Sequence, residues 1–195
     1  MSRTGPVKTG VVSGSPRVFG SPGEFAGDVA GVVRRARPLA AVFLHGRLDR
    51  RERERIMLAV SRVNACRGCT FVHQRWALRA GLSAEELQAI ELGELAALDD
   101  RSRAAVAYAT ALAERRFRDA PPDDVAAAAA LHLSPAGRSA VEAVARLMAF
   151  ANLSANTAEA IFASLAAART RRSRRAPPPE MDRVHTPAAE AFPKS

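Results

Sequence analysis

Residues 49–81 read DRRERERIMLAVSRVNACRGCTFVHQRWALRAG, and this stretch decides the fold. Asp49 followed three residues later by Glu52 is a pair that caps the N-terminus of a helix, and apolar residues then recur at helical spacing. A second helical pattern starts near Cys66, and Gly81 stands where a glycine commonly ends a helix. The stretch therefore predicts two consecutive helices with a short break between them.

The second predicted helix carries both cysteines of the chain. Cys66, Cys69 and His73 lie at positions i, i+3 and i+7, which places them on one face of a helix. Glu54 precedes Cys66 by twelve residues and lies on the first helix. The combined spacing indicates a nucleophile, a base and a group that orients the base.

The residues also indicate how the thiols would react. Cys69 is one helical turn from His73, so the imidazole can take the thiol proton, and Glu54 can orient the ring. A sulfenic acid formed on one cysteine can condense with the other cysteine to form a disulfide. The helix N-terminus favours a thiolate on Cys66, whereas proximity to His73 favours Cys69. Residue chemistry alone leaves the attacking cysteine open.

Two other interpretations of these residues remain. A structural disulfide at this spacing would close a very short loop and remove little entropy from the unfolded chain. A closed zinc site needs four ligands, and the chain offers Cys66, Cys69, His73 and Glu54 on two adjacent helices. We rank both below the redox interpretation.

The glutamate, the two cysteines and the histidine, at this spacing, resemble the signature of the alkylhydroperoxidase D-like branch of the carboxymuconolactone decarboxylase family. The flanking segments 48–52 and 77–86 agree with it. The resemblance covers roughly residues 38–165, and its specific part is 48–90.

This resemblance implies an all-helical, oligomeric protein that reduces peroxides or exchanges disulfides without metal or flavin. It implies that Cys69 attacks the peroxide, that Cys66 resolves the intermediate, and that Glu54 and His73 relay the proton. An external dithiol would then reduce the disulfide. The best-known peroxidase members carry a histidine directly before the second cysteine, where this chain has Gly68. The predicted proton relay is therefore shorter here.

Length and composition predict one helical domain with two tails. The 195 residues suit a single domain, and no segment shows the period of a strand. Aromatic residues make up 5% of the chain, so the core must consist largely of Ala, Leu and Val, and association into a homo-oligomer (dimer, trimer or hexamer) should add stability. We predict an all-α domain over residues 23–168, which the resemblance implies is like alkylhydroperoxidase D (AhpD-like), with disordered tails over 1–22 and 169–195.

Three further residues are candidates for lining a pocket. Asn152 lies with Asn156 on one face of the last apolar helix, and the resembling family often has an asparagine near this point. Tyr108 either lines a pocket or packs at an interface. Trp76 follows His73 on the second helix of the central pair.

The net charge of +9 lies mostly in the predicted tails. Residues 1–20 carry +3 and residues 169–195 carry +4. A basic tail binds polyanions weakly, whereas a sequence-reading domain presents basic groups on a folded face. We therefore expect no specific nucleic-acid partner.

No apolar run approaches the length of a membrane helix, and the N-terminus lacks an apolar segment of the signal-peptide type. A lone Cys-x-x-Cys in a chain that is not exported is typical of a redox-active pair in a reducing compartment. We expect a cytoplasmic protein without membrane contact.

The sequence thus predicts a thiol-dependent peroxidase or disulfide oxidoreductase with no bound cofactor. Two alternatives stand beside it. One is a lactone enzyme like the namesake of the family, which works by acid–base chemistry. The other is a non-catalytic, redox-responsive scaffold whose basic tails recruit an acidic partner.

Overall fold

The computed structural model describes residues 14–175, with side chains described as far as residue 172. Within residues 14–175 the regular structure is helical and no strand occurs, which confirms the predicted all-α fold. A 3-10 turn, Leu95–Ala97, lies between the fifth and sixth helices. The eight α-helices are α1 (Pro22–Val33), α2 (Ala36–Phe43), α3 (Arg50–Val63), α4 (Arg67–Arg79), α5 (Ala84–Leu92), α6 (Asp100–Glu114), α7 (Asp123–His132) and α8 (Pro135–Arg175).

Side-chain caps begin several of these helices, and the cap of α3 lies where the sequence predicts it. The Asp49 carboxylate accepts from the Glu52 N–H at 2.8 Å, and the Glu52 carboxylate accepts from the Asp49 N–H at 3.1 Å. Ser83 and Glu86 form the same reciprocal box at the start of α5. The Ser134 hydroxyl accepts a backbone N–H in the first turn of α8. Each cap satisfies N–H groups that a helix leaves unpaired.

Helix α3 lies at the centre of the packing because both of its sides are buried. Ile56 and Val60 belong to a core cluster shared with α6 and α8, and this cluster is rich in alanine, as the composition predicts. Leu58 and Ala59 belong to a second cluster shared with α4, α5 and α6. A side chain on α3 is therefore held by packing on either side.

The segment before α1 differs from the predicted disordered tail of residues 1–22. Residues 1–13 lie outside the described part, but residues 14–20 are anchored on the folded body. The Arg17 N–H donates to the carbonyl of Asn64 at 3.1 Å, and the Phe19 N–H donates to the Thr157 hydroxyl at 3.0 Å. The Phe19 ring also packs edge-on against Phe25 at 5.2 Å. Backbone hydrogen bonds and one aromatic side chain hold this segment in place. Neither kind of contact produces a periodic pattern in the sequence.

The C-terminal helix also extends beyond its predicted end near residue 168. It continues to Arg175, so residues 169–175 are helical where a disordered tail is expected, and residues 176–195 lie outside the described part. Alanine and arginine favour helix, and the chain reaches Pro177 before any residue that stops one. The described chain divides after Ala160 into two compact units, and the second comprises the end of α8.

Glu24 links the segment before α1 to a turn after α6. Its carboxylate accepts the Gly20 N–H at 2.7 Å and pairs with the guanidinium groups of Arg116 and Arg118. The Gly20 hydrogen bond, followed by the arginine contacts, lowers the pKa of Glu24 from its usual value of 4.5. A lowered pKa means that the ionised carboxylate stabilises the fold.

Replacing Glu24 by glutamine should lower the free energy of unfolding at pH 7 by about 1 kcal/mol, since the charged hydrogen bond and ion pairs are weakened. The contribution of Glu24 is fully present above pH 4.5, and it is lost as the pH falls through the lowered folded-state pKa. Urea unfolding of the parent and Glu24→Gln at neutral and acidic pH measures the difference. The difference in unfolding free energy between the two proteins should be smaller at acidic pH.

Glu159→Gln is the matched control, because Glu159 is exposed on α8 and forms no ion pair within the described residues. A loss of stability in Glu24→Gln that is the same at both pH values would contradict the assigned role of the charge.

Candidate active site

Glu54 of α3 and His73 of α4 form a buried hydrogen-bonded pair. The ring nitrogen Nδ1 of His73 lies 2.8 Å from Oε2 of Glu54, and the two residues are 8% and 5% exposed. With the glutamate ionised, the imidazole donates from Nδ1, which fixes the ring and leaves Nε2 to accept or release a proton. The structure therefore brings together the predicted base and its orienting group.

The cysteines lie at the start of α4 and are joined as a disulfide in this structure, with their Cα atoms 5.3 Å apart. Cys66 is the residue that caps α4 at its N-terminus, and it is 2% exposed. Cys69 lies in the first turn of α4 and is partly exposed. A molecule from solution can therefore approach Cys69 more readily than Cys66.

A tight backbone link between α3 and α4 sets the position of Cys66. Ala65 adopts a positive φ of 50°, which residues other than glycine rarely do. The Cys66 N–H donates to the Ser61 carbonyl at 3.1 Å. This pattern is the Schellman end of a helix, usually made with glycine. It reverses the chain within a few residues and carries Cys66 directly into α4.

Four buried polar residues, Ser61, Asn64, Asn152 and Asn156, hold this link to α8. The Asn64 amide donates to Oδ1 of Asn152 at 3.3 Å, and the Asn152 amide donates to the Ser61 hydroxyl at 3.3 Å. The Asn156 amide donates to the Asn64 carbonyl at 2.9 Å and to the Arg17 carbonyl at 2.9 Å. Asn152, a predicted pocket residue, is fully buried in this network, where it supports the link that precedes Cys66.

A cleft of about 390 Å³ opens beside the glutamate–histidine pair. Glu54, His73 and Trp76 line it, and the indole of Trp76 lies edge-on to the His73 ring at 5.3 Å between centroids. Neither cysteine is among its lining residues, so His73 is the member of the predicted site that reaches from α4 into this space. Its apolar wall comes from α2, α3 and α8 and includes Phe43, Met57, Leu147 and Met148.

Tyr108, the third predicted pocket residue, lies elsewhere. It is on α6, partly buried against the alanine-rich core cluster, and it does not line the cleft. Burial, and then the nearby charge of Glu142, raise the pKa of its hydroxyl above the usual value of 10.0. We assign Tyr108 to packing.

Two arginines of the cleft, Arg50 and Arg53, are not among the site residues that the sequence motif indicates. Both are on α3 and both line the cleft with Glu54. Their signal in the sequence is a spacing of three residues, which places them on one side of the helix that carries Glu54. Within residues 14–172 no group of three or more His, Cys, Asp or Glu side chains is arranged to hold a metal ion.

Residues 34–111 match the model of the carboxymuconolactone decarboxylase family. The matched range begins just before α2, ends within α6, and contains Glu54, both cysteines and His73. The match confirms the resemblance to this family that the sequence motif indicates. No curated protein and no solved structure gives a match to the chain. Among the described helices, none combines the length and the apolar character needed to cross a membrane.

Replacing Asn152 by alanine should destabilise the fold by about 2 kcal/mol, because the buried amide of Asn64 and the Ser61 hydroxyl lose their shared partner. Urea unfolding measures the change. Ser154→Ala is the control on the same helix, because the buried Ser154 hydroxyl has no hydrogen-bond partner among the described residues. Equal stability of the two variants would show that the Asn152 network does not hold the α3–α4 link.

Proposed function

We propose that this protein is a thiol-dependent peroxidase or disulfide oxidoreductase that reduces organic hydroperoxides or hydrogen peroxide. The observation that carries the proposal is the buried Glu54–His73 pair, one helical turn from Cys69 on the helix that begins at Cys66. The match to the carboxymuconolactone decarboxylase family spans the glutamate, both cysteines and the histidine, and it supports a role for these residues in a redox protein of that family.

The first step consumes the peroxide. In the reduced protein, the sulfur of Cys69 attacks the terminal oxygen of the hydroperoxide and the O–O bond breaks. The Cys69 proton passes through His73 to the departing alkoxide, which leaves as an alcohol. One oxygen remains on Cys69 as a sulfenic acid. The partial exposure of Cys69 supports its assignment as the attacking cysteine.

The second step forms the disulfide. The sulfur of Cys66 attacks the sulfur of Cys69, the S–O bond breaks, and the oxygen leaves as water with the Cys66 proton. Two thiols have then supplied the two electrons that reduce one hydroperoxide to alcohol and water. The separation of 5.3 Å between the two Cα atoms supports this pairing.

Glu54 and His73 act on the proton in the first step. The carboxylate holds Nδ1, so Nε2 is the nitrogen that exchanges a proton with the thiol and the leaving oxygen. Glu54 also stabilises the imidazolium that forms while the proton is on the ring.

The cycle needs no bound metal or flavin, and an external dithiol, free or on a partner protein, exchanges with the disulfide to restore both thiols. A reducing compartment such as the cytoplasm supplies such donors. We also propose a homo-oligomer. Phe71, Val72 and Leu78 of α4 are 48%, 40% and 41% exposed, and association would remove this apolar surface from water.

One observation supports a second candidate function, a lactone enzyme that uses acid–base chemistry. Glu54 and His73 line the cleft whereas neither cysteine does, so the pair can act on a ligand there without a thiol. The two candidates make opposite predictions for the cysteines.

The two cysteines test the proposal directly. We expect Cys69→Ser to lose hydroperoxide consumption, whereas Cys66→Ser should react once and retain a sulfenic acid that a sulfenic-acid-specific reagent such as dimedone labels. Peroxide consumption and mass spectrometry of both variants provide the measurement. Undiminished turnover in Cys69→Ser would overturn the mechanism, and lactone decarboxylation that survives replacement of both cysteines would favour the second candidate.

Gly68 provides a test by gain of activity. A Cβ atom added here meets no atom within 4 Å and the residue is exposed, so we expect Gly68→His to be tolerated and to place an imidazole directly before Cys69. We expect its hydroperoxide turnover to rise by roughly tenfold or more, since general acid–base groups contribute factors of about 100 or more.

Gly68→Ala is the matched control. It should stabilise α4 by about 0.5–1 kcal/mol, because alanine favours helix over glycine, and it should leave turnover unchanged. Equal turnover in the histidine and alanine variants would show that the missing imidazole does not limit the reaction.

A further inference from the structure

The cleft beside Glu54 and His73 contains two positive charges with no carboxylate paired to them. Arg50 is exposed, and no ion pair joins it to a carboxylate among the described residues. Arg53 donates to the carbonyl of Val42 at 3.3 Å, and its guanidinium carbon lies 5.2 Å from the centre of the Phe43 ring. Neither contact neutralises the charge of Arg53.

The acids closest to these arginines in sequence have other partners, beginning with Asp49, whose carboxylate accepts the Glu52 N–H in the capping box of α3. Glu52 pairs with Arg101 at 2.9 Å and accepts the Asp49 N–H of the capping box. Glu54 is hydrogen-bonded to His73. An anion that enters the cleft therefore meets two guanidinium groups whose acidic neighbours have other partners.

Much of the remaining lining of the cleft is apolar. Met57 of α3 and Leu147 and Met148 of α8 contribute to it, together with Phe43 of α2. The volume of about 390 Å³ is in the range of clefts that bind small organic molecules. A charged region next to an apolar wall is complementary to a molecule with one anionic end and an apolar body.

We propose that this cleft binds amphipathic carboxylates of the fatty-acid type. The carboxylate pairs with Arg50 and Arg53, and the hydrocarbon body lies along Phe43, Met57, Leu147 and Met148. Guanidinium groups suit this role because they stay charged and bind a carboxylate through two parallel hydrogen bonds. The assignment of such a carboxylic acid hydroperoxide as the substrate rests on the proposed peroxidase function, whereas binding of the carboxylate does not.

The position of the cleft connects binding to the chemistry. Arg53 is adjacent in sequence to Glu54, and His73 lies at the same cleft, so a carboxylate held at the arginines places the apolar chain beside the imidazole. A hydroperoxide group carried on that chain would lie near the residue that relays the proton to its leaving oxygen. The neutral ester of the same acid would leave both guanidinium groups without an anionic partner.

Trp76 provides a readout of binding that needs no turnover. It is the sole tryptophan of the chain, and it lines the cleft, so its fluorescence reports on ligands there. Titration with decanoate and with methyl decanoate compares two probes that differ in charge and share a hydrocarbon chain. We expect decanoate to bind at least roughly tenfold more tightly, because its carboxylate can form charge-assisted contacts that the ester lacks.

The variants identify the charges responsible. Replacing Arg50 and Arg53 together by glutamine should abolish the preference for decanoate over the ester, and Arg50→Gln alone should reduce it. Circular dichroism checks that the helices are retained. Arg79→Gln is the matched control, because Arg79 is an exposed arginine at the end of α4 that does not line the cleft. Equal binding of the two probes by the parent, or an unchanged preference in the double variant, would overturn the proposal.

Turnover separates this proposal from the peroxidase function. With linoleic acid hydroperoxide and its methyl ester as substrates, we expect the ratio of kcat/KM for the acid to kcat/KM for the ester to fall in the double variant, because only the acid has an anionic end. Decanoate binding without turnover of either hydroperoxide would overturn the peroxidase function and support the carboxylate site. Equal turnover of both by the parent, without selective decanoate binding, would overturn the carboxylate site and leave the peroxidase function intact.

Discussion

The hydrogen bond between Glu54 and His73 is the interaction on which this molecule's site depends. Both side chains are buried, and a buried carboxylate or imidazole without a partner costs several kcal/mol. Pairing satisfies both, and it fixes α4 against α3 at one point. Because α3 is packed on both sides, Glu54 is held firmly, and its hydrogen bond holds His73 in a fixed position. The same contact therefore stabilises the helix pair and prepares a proton-transfer group.

Contacts at the N-terminus of α4 also hold this helix in place. Ala65 reverses the chain, Cys66 begins the helix, and the asparagine network joins this link to α8 and to the backbone of Arg17. The cysteines are thus positioned by backbone and amide hydrogen bonds, whereas the histidine is positioned by a carboxylate. Two independent sets of contacts place the thiols and the base on a single helix.

The parts of the fold that the sequence predicts are those with local causes. The capping pair at Asp49, the glycine that follows α4 and the spacing of Cys66, Cys69 and His73 each depend on residues within one or two helical turns. Residues 14–20 are held in an ordered conformation by hydrogen bonds from their backbone to Asn64 and Thr157, which are far away in the chain. No local sequence pattern indicates these contacts. Arg50 and Arg53 can be recognised as a pair only once α2 and α8 supply the other residues that line the cleft. The sequence leaves Tyr108 between a pocket and an interface, and its place against the alanine-rich core depends on how α6 packs on other helices, which the residue type does not indicate.

The most direct test of the central claim is the stoichiometry of the fully reduced parent protein with one equivalent of an organic hydroperoxide. Free thiols, remaining hydroperoxide and released alcohol are counted in the same sample, with the protein lacking both cysteines as the blank. The account predicts that two thiols disappear for each hydroperoxide consumed, that one alcohol appears, and that Cys66 and Cys69 are recovered in a single disulfide-linked peptide. Hydroperoxide that persists while both thiols remain free would contradict it.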